Sequence, residues 1–502
     1  MIRPLKILLA SPEIHPYSKT GGLADMVGAL AKSLADEGHQ VGIVTPLYRG
    51  VRERFPKIKR FDWEMDLPLG EDRHAAQVWT LPHGKATVYF IDQPVFFERR
   101  FLYQENGLDY PDNAERFIFF SKAVAHLARY LPWKPEMVHA HDWQAGLAPL
   151  FIAHEKAAGW SQAPATCLTI HNAAYQGIFP LFKYRLTNLP WDYFNPEGAE
   201  FYGQMNCLKA AINFSDHITT VSPSYAIEMM TPELGYGLDG VLLRRRDRVS
   251  GILNGADYTE WKTVNNPYLR HSYDLRRFKG KRLNKIDLQK EMGLTPDPNI
   301  PLFGNVGRLA DQKGVDIMLE ALGDLLGERL QFVSLGNGAP VFEKALQTLA
   351  ESHPGQVAVK IGYDTGLAHR IEAGCDFYLM PSLYEPCGLN QLYSLRYGTI
   401  PIVRATGGLD DSVVDITQAM EKADGIKFIE YSGHALTHAM RKALALYGEP
   451  LLLKLFQRNA ISADFSWKKT AEEYVKVYQK ALNPPRAASK APKLAASATQ
   501  AT

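Results

Sequence analysis

The sequence predicts an α/β protein built from two doubly wound domains that face each other across a cleft. Three observations carry this. Short apolar runs alternate with segments of helical periodicity through most of the chain, the pattern of parallel strands covered by helices. A length of 502 residues exceeds what one ordinary core supports and points to two or three domains. A Gly-Gly-Leu turn behind an apolar strand occurs twice, at Gly21-Gly22-Leu23 and Gly407-Gly408-Leu409, so each half has its own turn suited to an anion.

In the first half, apolar runs of strand length fall at Lys6–Ala10, Gln40–Pro46, Ala86–Asp92, Met137–Asp142, Ala165–Asn172 and His217–Ser222. From Gly22 onward, Leu23, Met26, Val27, Leu30 and Leu34 recur at helical spacing, and Asn113–Tyr130 reads as a second helix. In the second half, strands are expected at Leu302–Gly307, Gln331–Gly336, Val357–Gly362, Phe377–Pro381 and Ile400–Ala405. Helices fit Val315–Leu326, Val341–Glu351, Leu389–Tyr397 and Leu436–Tyr447. The halves divide near Arg248–Asp257, where an apolar run ends in Asn254-Gly255, giving units 1–250 and 251–466. Segment 262–300 is polar, Pro-rich in places, and reads as an excursion before the second sheet. An amphipathic helix, Trp467–Ala481, suits packing across a domain surface. The stretch 483–502, rich in Ala, Pro, Ser and Thr, has little to bury and is expected to be disordered.

Hydrophobic residues at 46% and charged residues at 22% are ordinary for a soluble globular protein. A net charge of +2 gives no reason to expect nucleic acid as a partner. The clusters Arg244-Arg245-Arg246 and Arg276-Arg277 read as solvated loops. Cys167, Cys207, Cys375 and Cys387 form no close CxxC pair, which argues against a zinc site or a disulfide framework. Reduced thiols point to the cytoplasm. The apolar run before Pro12 is too short for a signal peptide, and no run approaches the roughly 20 residues that cross a bilayer.

Open α/β sheets bind ligands at the carboxyl ends of their strands, and the chemistry-bearing residues cluster there. Lys19 with Gly21 and Gly22 sits between strand and helix, where free N–H groups and close backbone approach favour a phosphate. The spacing matches neither the Walker loop nor the dinucleotide fingerprint. Arg308 and Lys313 flank a turn after a strand and could hold a pyrophosphate; a surface ion-pair turn is the other reading. Glu385, before Pro386 and Gly388, could accept hydrogen bonds from sugar hydroxyls or meet a helix dipole. His171 and Asn172 end an apolar strand, where a histidine is more often structural. His139 and His141 share a strand face, from which Asp142 points away, so a metal site is not expected.

Taken together, the strings KTGGLADMVGAL, HAHDWQAGLAP, TIHNAAYQG, NGAD, GRLADQKG, EPCGLNQLYSLRYGT and VRATGGLDD resemble the bacterial glycogen synthases and the related plant starch synthases. They occur in the family's order and sample the chain up to about residue 480. The resemblance implies two Rossmann-like domains in the GT-B arrangement, with helix 467–482 crossing back to the first. It implies retaining transfer of glucose from ADP-glucose to the non-reducing 4-OH of glycogen or another α-1,4-glucan, with no metal and no cofactor. A UDP-glucose-dependent synthase or another GT-B transferase is the alternative; a non-catalytic glucan-binding protein is the alternative of another class. By the same resemblance Lys19, with the N–H groups of Gly21 and Gly22, meets donor phosphate, and Arg308 and Lys313 hold the leaving pyrophosphate. Glu385 and His171 flank the donor glucose. Asp142 and Asn254 line the sugar site, with Glu13 as a further match. Gly388, Leu389, Thr406, Gly407 and Gly408 cover the phosphates from the second domain. Asn390 stands where many members carry threonine.

Overall fold

The computed structural model describes residues 3–105 and 107–483; the expected disordered tail, apart from Asn483, lies outside them. The larger of two major sheets has nine strands: β1 (Lys6–Ala10), β2 (Gln40–Pro46), β3 (Lys59–Leu69), β4 (Asp72–His83), β5 (Ala86–Asp92), β6 (Met137–His141), β7 (Ala165–Ile170), β8 (His217–Thr220) and β9 (Val249–Gly251). Their spatial order is β9-β8-β7-β6-β1-β2-β5-β4-β3. All neighbours pair parallel from β9 to β5, while β5-β4-β3 is antiparallel. The hairpin β3–β4 lies outside the expected strands, although Phe61, Trp63, Met65, Leu67 and Leu69 alternate with exposed Asp62, Glu64 and Asp66. Such alternation belongs to an antiparallel edge with one face in water.

The second sheet comprises β10 (Leu302–Leu309), β11 (Gln331–Gly338), β12 (Val357–Ile361), β13 (Phe377–Met380), β14 (Ile400–Arg404) and β15 (Ile426–Phe428). It runs β12-β11-β10-β13-β14-β15, parallel throughout. Its strands read as unbroken apolar runs because both faces are covered. Phe303, Phe332, Phe377 and Ile402 pack with Met318, Leu322 and Leu436 on one side. Leu302, Val333, Tyr378 and Val403 pack with Leu288, Leu367 and Ile371 on the other.

The helices that matter for the site are α1 (Gly22–Asp36), α2 (Asn113–Tyr130), α3 (Pro223–Glu228), α4 (Asn390–Tyr397), α5 (Gly407–Ser412) and α6 (Trp467–Leu482). The stretch read as a polar excursion holds a further helix, Lys279–Glu291. Its buried face is largely polar, which hid it: Lys281 Nζ donates to Thr399 Oγ1 at 2.6 Å, and Lys285 pairs with Asp376 at 2.5 Å. Strand β9 straddles the expected division at residue 250 and carries the first sheet to Gly251. Helix α6 buries Trp467, Ala471, Tyr474, Val475 and Tyr478, an i, i+4, i+7, i+8, i+11 stripe, in the same core as Ile7 and Val138. Among the described residues no helix is long and apolar enough to cross a membrane.

Each sheet has a point where the connections of two neighbouring parallel strands leave in opposite directions, between β1 and β6 in the first and between β10 and β13 in the second. Loops leaving such neighbours diverge and open a crevice at the strands' carboxyl ends.

Candidate active site

The loop leaving β1 is built around a buried carboxylate. Glu13 accepts the backbone N–H of Thr20 and its hydroxyl at 2.8 Å, and the Tyr103 hydroxyl at 3.2 Å. Burial raises the Glu13 pKa, and these donors, with the Gly21 N–H, pull it back. Thr20 is thereby held, with Lys19 and Gly21 on either side. Lys19 Nζ lies 2.7 Å from Asp25 in the first turn of α1. Burial alone would lower the lysine's pKa; Asp25, with Tyr363 and Glu260 of the second domain, more than offsets it, and the net shift is upward. Gly21 caps α1 without a side-chain hydrogen bond, so the first-turn N–H groups are presented to the cleft. A Cβ added at Gly22 would stand 3.3 Å from Leu389 Cδ1. The two domains touch at this point.

The loop leaving β6 begins at Asp142, a non-glycine residue at φ 54°, a sparsely populated conformation that a supporting hydrogen bond must hold. Its Oδ1 accepts the His171 N–H at 2.7 Å. Burial pushes the Asp142 pKa up to about 7, opposed by the His171 and Asn172 N–H groups. The His171 ring meets His141 at 3.1 Å, and His141 stacks on His139 with centroids 4.1 Å apart. His139 in turn contacts the Tyr478 hydroxyl of α6 at 2.9 Å. Burial pushes His171 and His139 down to about 3 and lowers His141 well below the usual imidazole range, so all three imidazoles are neutral near pH 7. Among the described residues no group of three or more His, Cys, Asp or Glu side chains is arranged to hold a metal ion.

In the second domain, Arg308 ends β10 exposed, with Nη2 3.3 Å from Gln312 Oε1. Gln312 also donates to the Tyr384 carbonyl at 3.2 Å, which ties this turn to the loop after β13. Lys313 Nζ pairs with Glu385 Oε2 at 2.5 Å, and Ser382 donates to the same oxygen at 3.1 Å. The Glu385 carboxylate is only 8% exposed, against 27% for the lysine. Behind it, Gly407 and Gly408 pack onto the loop: the Gly408 N–H donates to the Glu385 carbonyl at 3.1 Å. A Cβ at Gly407, where φ is +45°, would sit 2.1 Å from that carbonyl oxygen. Burial pushes the neighbouring Cys387 thiol up to about 12, the Asn254 backbone opposing. Asn254 itself is buried, with an unpartnered Oδ1. Asn390 opens α4, and its side chain is used structurally, donating to the Val306 carbonyl at 2.7 Å and the Tyr378 hydroxyl at 2.8 Å.

Further contacts span the cleft. Ser222 donates to the Pro386 carbonyl at 2.6 Å. Ser224 gives both its N–H and its hydroxyl to Asp411, each at 2.7 Å. The Glu228 carboxylate, at the end of α3, accepts the Gly407 N–H at 2.8 Å and the Thr406 hydroxyl at 3.1 Å. Tyr103 and Glu228 are the site residues that sequence reasoning missed. Neither lies in a recognisable string, and each meets its partner only through the fold.

The structure thus places the expected site residues at or just beyond the carboxyl ends of the strands: at the end of a strand (Arg308), in the loops that follow, or in the first turn of the next helix (Gly22, Gly407, Gly408). It joins Glu13 to the Lys19 turn, Asp142 to His171, Lys313 to Glu385, and Gly22 to Leu389. Among the described residues the Arg308 side chain reaches this assembly through Gln312.

Residues 6–244 match the starch synthase catalytic domain family, and residues 289–459 match the glycosyl transferases group 1 family. A glycogen synthase 2 of Nitrosococcus oceani is 42% identical over 485 residues, covering 95% of this chain and 98% of that one. A glycogen synthase of an Anaeromyxobacter species is 43% identical over 482 residues, covering 96% and 100%. Among solved structures, the catalytic domain of starch synthase IV from Arabidopsis thaliana, bound to ADP and acarbose, superposes with a TM-score of 0.87 at 31% identity, covering 96% of this chain and all of that one. A sucrose-phosphate synthase from Thermosynechococcus elongatus shares the fold at a TM-score of 0.57 and 17% identity.

Proposed function

The chain belongs to the glycogen and starch synthase family of glycosyltransferases, and from that premise we propose that it transfers glucose from ADP-glucose to the non-reducing 4-OH of an α-1,4-glucan, retaining the anomeric configuration and using no metal. Its architecture is the two-domain GT-B arrangement. The observation that carries the reading is the placement of three cations, Lys19, Arg308 and Lys313, at the carboxyl ends of the strands of two sheets whose domains touch at Gly22 and Leu389.

As the bond from anomeric carbon to phosphate oxygen breaks, positive charge grows on the sugar ring and negative charge on the diphosphate. Fixed cations and helix N–H groups aimed at the departing oxygens stabilise this state more than the ground state. In this reading Arg308 and Lys313 take the diphosphate, and Lys19 with the N–H groups of Gly21 and Gly22 meets it from the first domain. Lys313 then exchanges Glu385 for phosphate, freeing the carboxylate to accept sugar hydroxyls or to stabilise the cationic ring. His171, held by Asp142, stands beside the glucose, and Asn254 offers its unpartnered carbonyl. Thr406, Gly407, Gly408, Gly388 and Leu389 close over the phosphates. Domain closure excludes water and so limits hydrolysis of the donor. ADP in the Arabidopsis structure supports an ADP-carrying donor, and the residue types supply the charge dispersal that a divalent ion supplies elsewhere. The buried cysteines fit a reducing compartment such as the cytoplasm.

Initial rates of nucleoside diphosphate release from ADP-, UDP- and GDP-glucose, with and without glycogen, test the proposal. The expected result is glycogen-dependent release, fastest from ADP-glucose and undiminished in excess EDTA. Faster turnover of UDP-glucose would reassign the donor. Glycogen binding without release would make the chain a binding protein. Loss of activity in EDTA would overturn metal independence.

A further inference from the structure

Beside the Lys19 turn the first domain contains a cavity of about 300 Å³. Five cations line it, Lys19, Arg49, Arg54, Arg99 and Arg100, and no carboxylate does. Three of the five have an acidic partner and, among the described residues, Arg54 and Arg100 have none. Lys19 is paired with Asp25, and Arg99 with Asp112 at 2.6 Å. Arg49 has only a 3.7 Å contact with Glu98, both side chains being exposed. Arg54 donates to two neutral carbonyls, Tyr17 and Gly50. Arg100 has no ion pair among the described residues; its guanidinium lies 5.2 Å over the Phe101 ring. Tyr48 also lines the wall, 5% exposed, and its buried hydroxyl has no hydrogen-bond partner.

We propose that this cavity is a second anion site, which binds a phosphate-bearing small molecule of about sugar-phosphate size. Guanidinium forks match phosphate oxygens, and the rings of Tyr17 and Phe101 offer apolar walls to the rest of the ligand. The volume lies at the lower end of small-molecule sites, and the concave shape with a chain charge of +2 disfavours a polyanionic strand. The arginines come from 49–54 and 99–100, and neither Arg308 nor Lys313 lines the cavity, although Lys19 is shared with the proposed donor site. Arg54 ties it to the active-site turn, because the carbonyl it holds belongs to Tyr17, two residues before Lys19.

Calorimetric titration of the full chain with inorganic phosphate and glucose 6-phosphate, and with glucose as the unphosphorylated control, tests the proposal. Saturable binding of the phosphate-bearing probes is expected, at least tenfold weaker in Arg54→Gln and in Arg100→Gln, and unchanged in Lys313→Ala. Arg100 makes no hydrogen bond within the described residues, so its variant serves even if Arg54→Gln fails to fold. Binding lost in Lys313→Ala but kept in Arg100→Gln would put the anion at the donor site and overturn the proposal. So would the absence of saturable binding in the wild type, or glucose binding as tightly as glucose 6-phosphate. None of these outcomes depends on which nucleotide the donor carries.

Discussion

Lys313 and Glu385 illustrate how one ion pair can serve both fold and chemistry. Replacing Lys313 with Ala strands a carboxylate that is 8% exposed, which costs stability because its partner charge is gone. Lys313→Ala should therefore lower both Tm and kcat, whereas Lys313→Gln, which returns a hydrogen-bond donor but no charge, should recover part of the Tm and remain about 10²–10³-fold slow, the usual loss when a transition-state donor is removed. Arg308 is exposed and holds only Gln312, so Arg308→Ala should lose rate at unchanged Tm. Near wild-type turnover of either variant at saturating donor would refute the leaving-group role. Asp142 allows a test by pH. Its folded pKa is raised to about 7 from an unfolded value near 3.8, so between these values the folded chain binds the extra proton. Linkage then makes stability fall as pH rises from about 4 to about 7 and level off above. Asp142→Asn retains an acceptor for the His171 N–H and removes this slope. Thermal melts should show the variant gaining Tm relative to wild type from pH 5 to pH 8; a constant difference would contradict the assignment.

At the scale of elements, the turn before α1 works because it lacks side chains. A Cβ at Gly22 meets Leu389 Cδ1 at 3.3 Å, tighter than ordinary contact, and a branched side chain has no room. The position is exposed rather than buried in a core, so Gly22→Val should leave Tm within a few degrees while lowering kcat/KM about tenfold or more by holding the domains apart. Adding Leu389→Ala should restore part of the loss, a coupling that neighbouring residues show and distant ones do not; purely additive effects would rule out the contact. Most of the elements were legible as periodicity. Gln40–Pro46, Ala86–Asp92 and Asn113–Tyr130 begin and end where their patterns do. The misses have a shared physical cause. The β3–β4 hairpin is half solvated, so its pattern is alternation rather than an apolar run, and helix Lys279–Glu291 buries lysines whose cost is offset by long-range partners such as Asp376.

Among the described residues a small set of polar contacts joins the two domains. Ser224 with Asp411, and Glu228 with Thr406 and Gly407, join α3 to α5. Each such hydrogen bond is worth about 0.5–1.5 kcal/mol net, enough together to bias a hinge equilibrium without locking it. Ser224→Ala combined with Glu228→Ala should enlarge the radius of gyration of the ligand-free protein in small-angle scattering, with the difference shrinking when ADP is added. An unchanged radius would mean that apolar contact, not this latch, sets closure.

The sequence by itself determined the two parallel α/β units, the turns at Lys19, Arg308 and Glu385, and the family. These depend on local periodicity and on backbone conformations that only particular residues allow. Tertiary structure alone decided that Glu13 clamps Thr20 beneath Tyr103, that Lys313 rests on Glu385, that a neutral imidazole column links His171 to Tyr478, and that Glu228 crosses the cleft to Gly407. Apart from Glu13 and Thr20, which share one loop, such partners lie tens to hundreds of residues apart, and no local pattern encodes a hydrogen bond that exists only once the fold has formed.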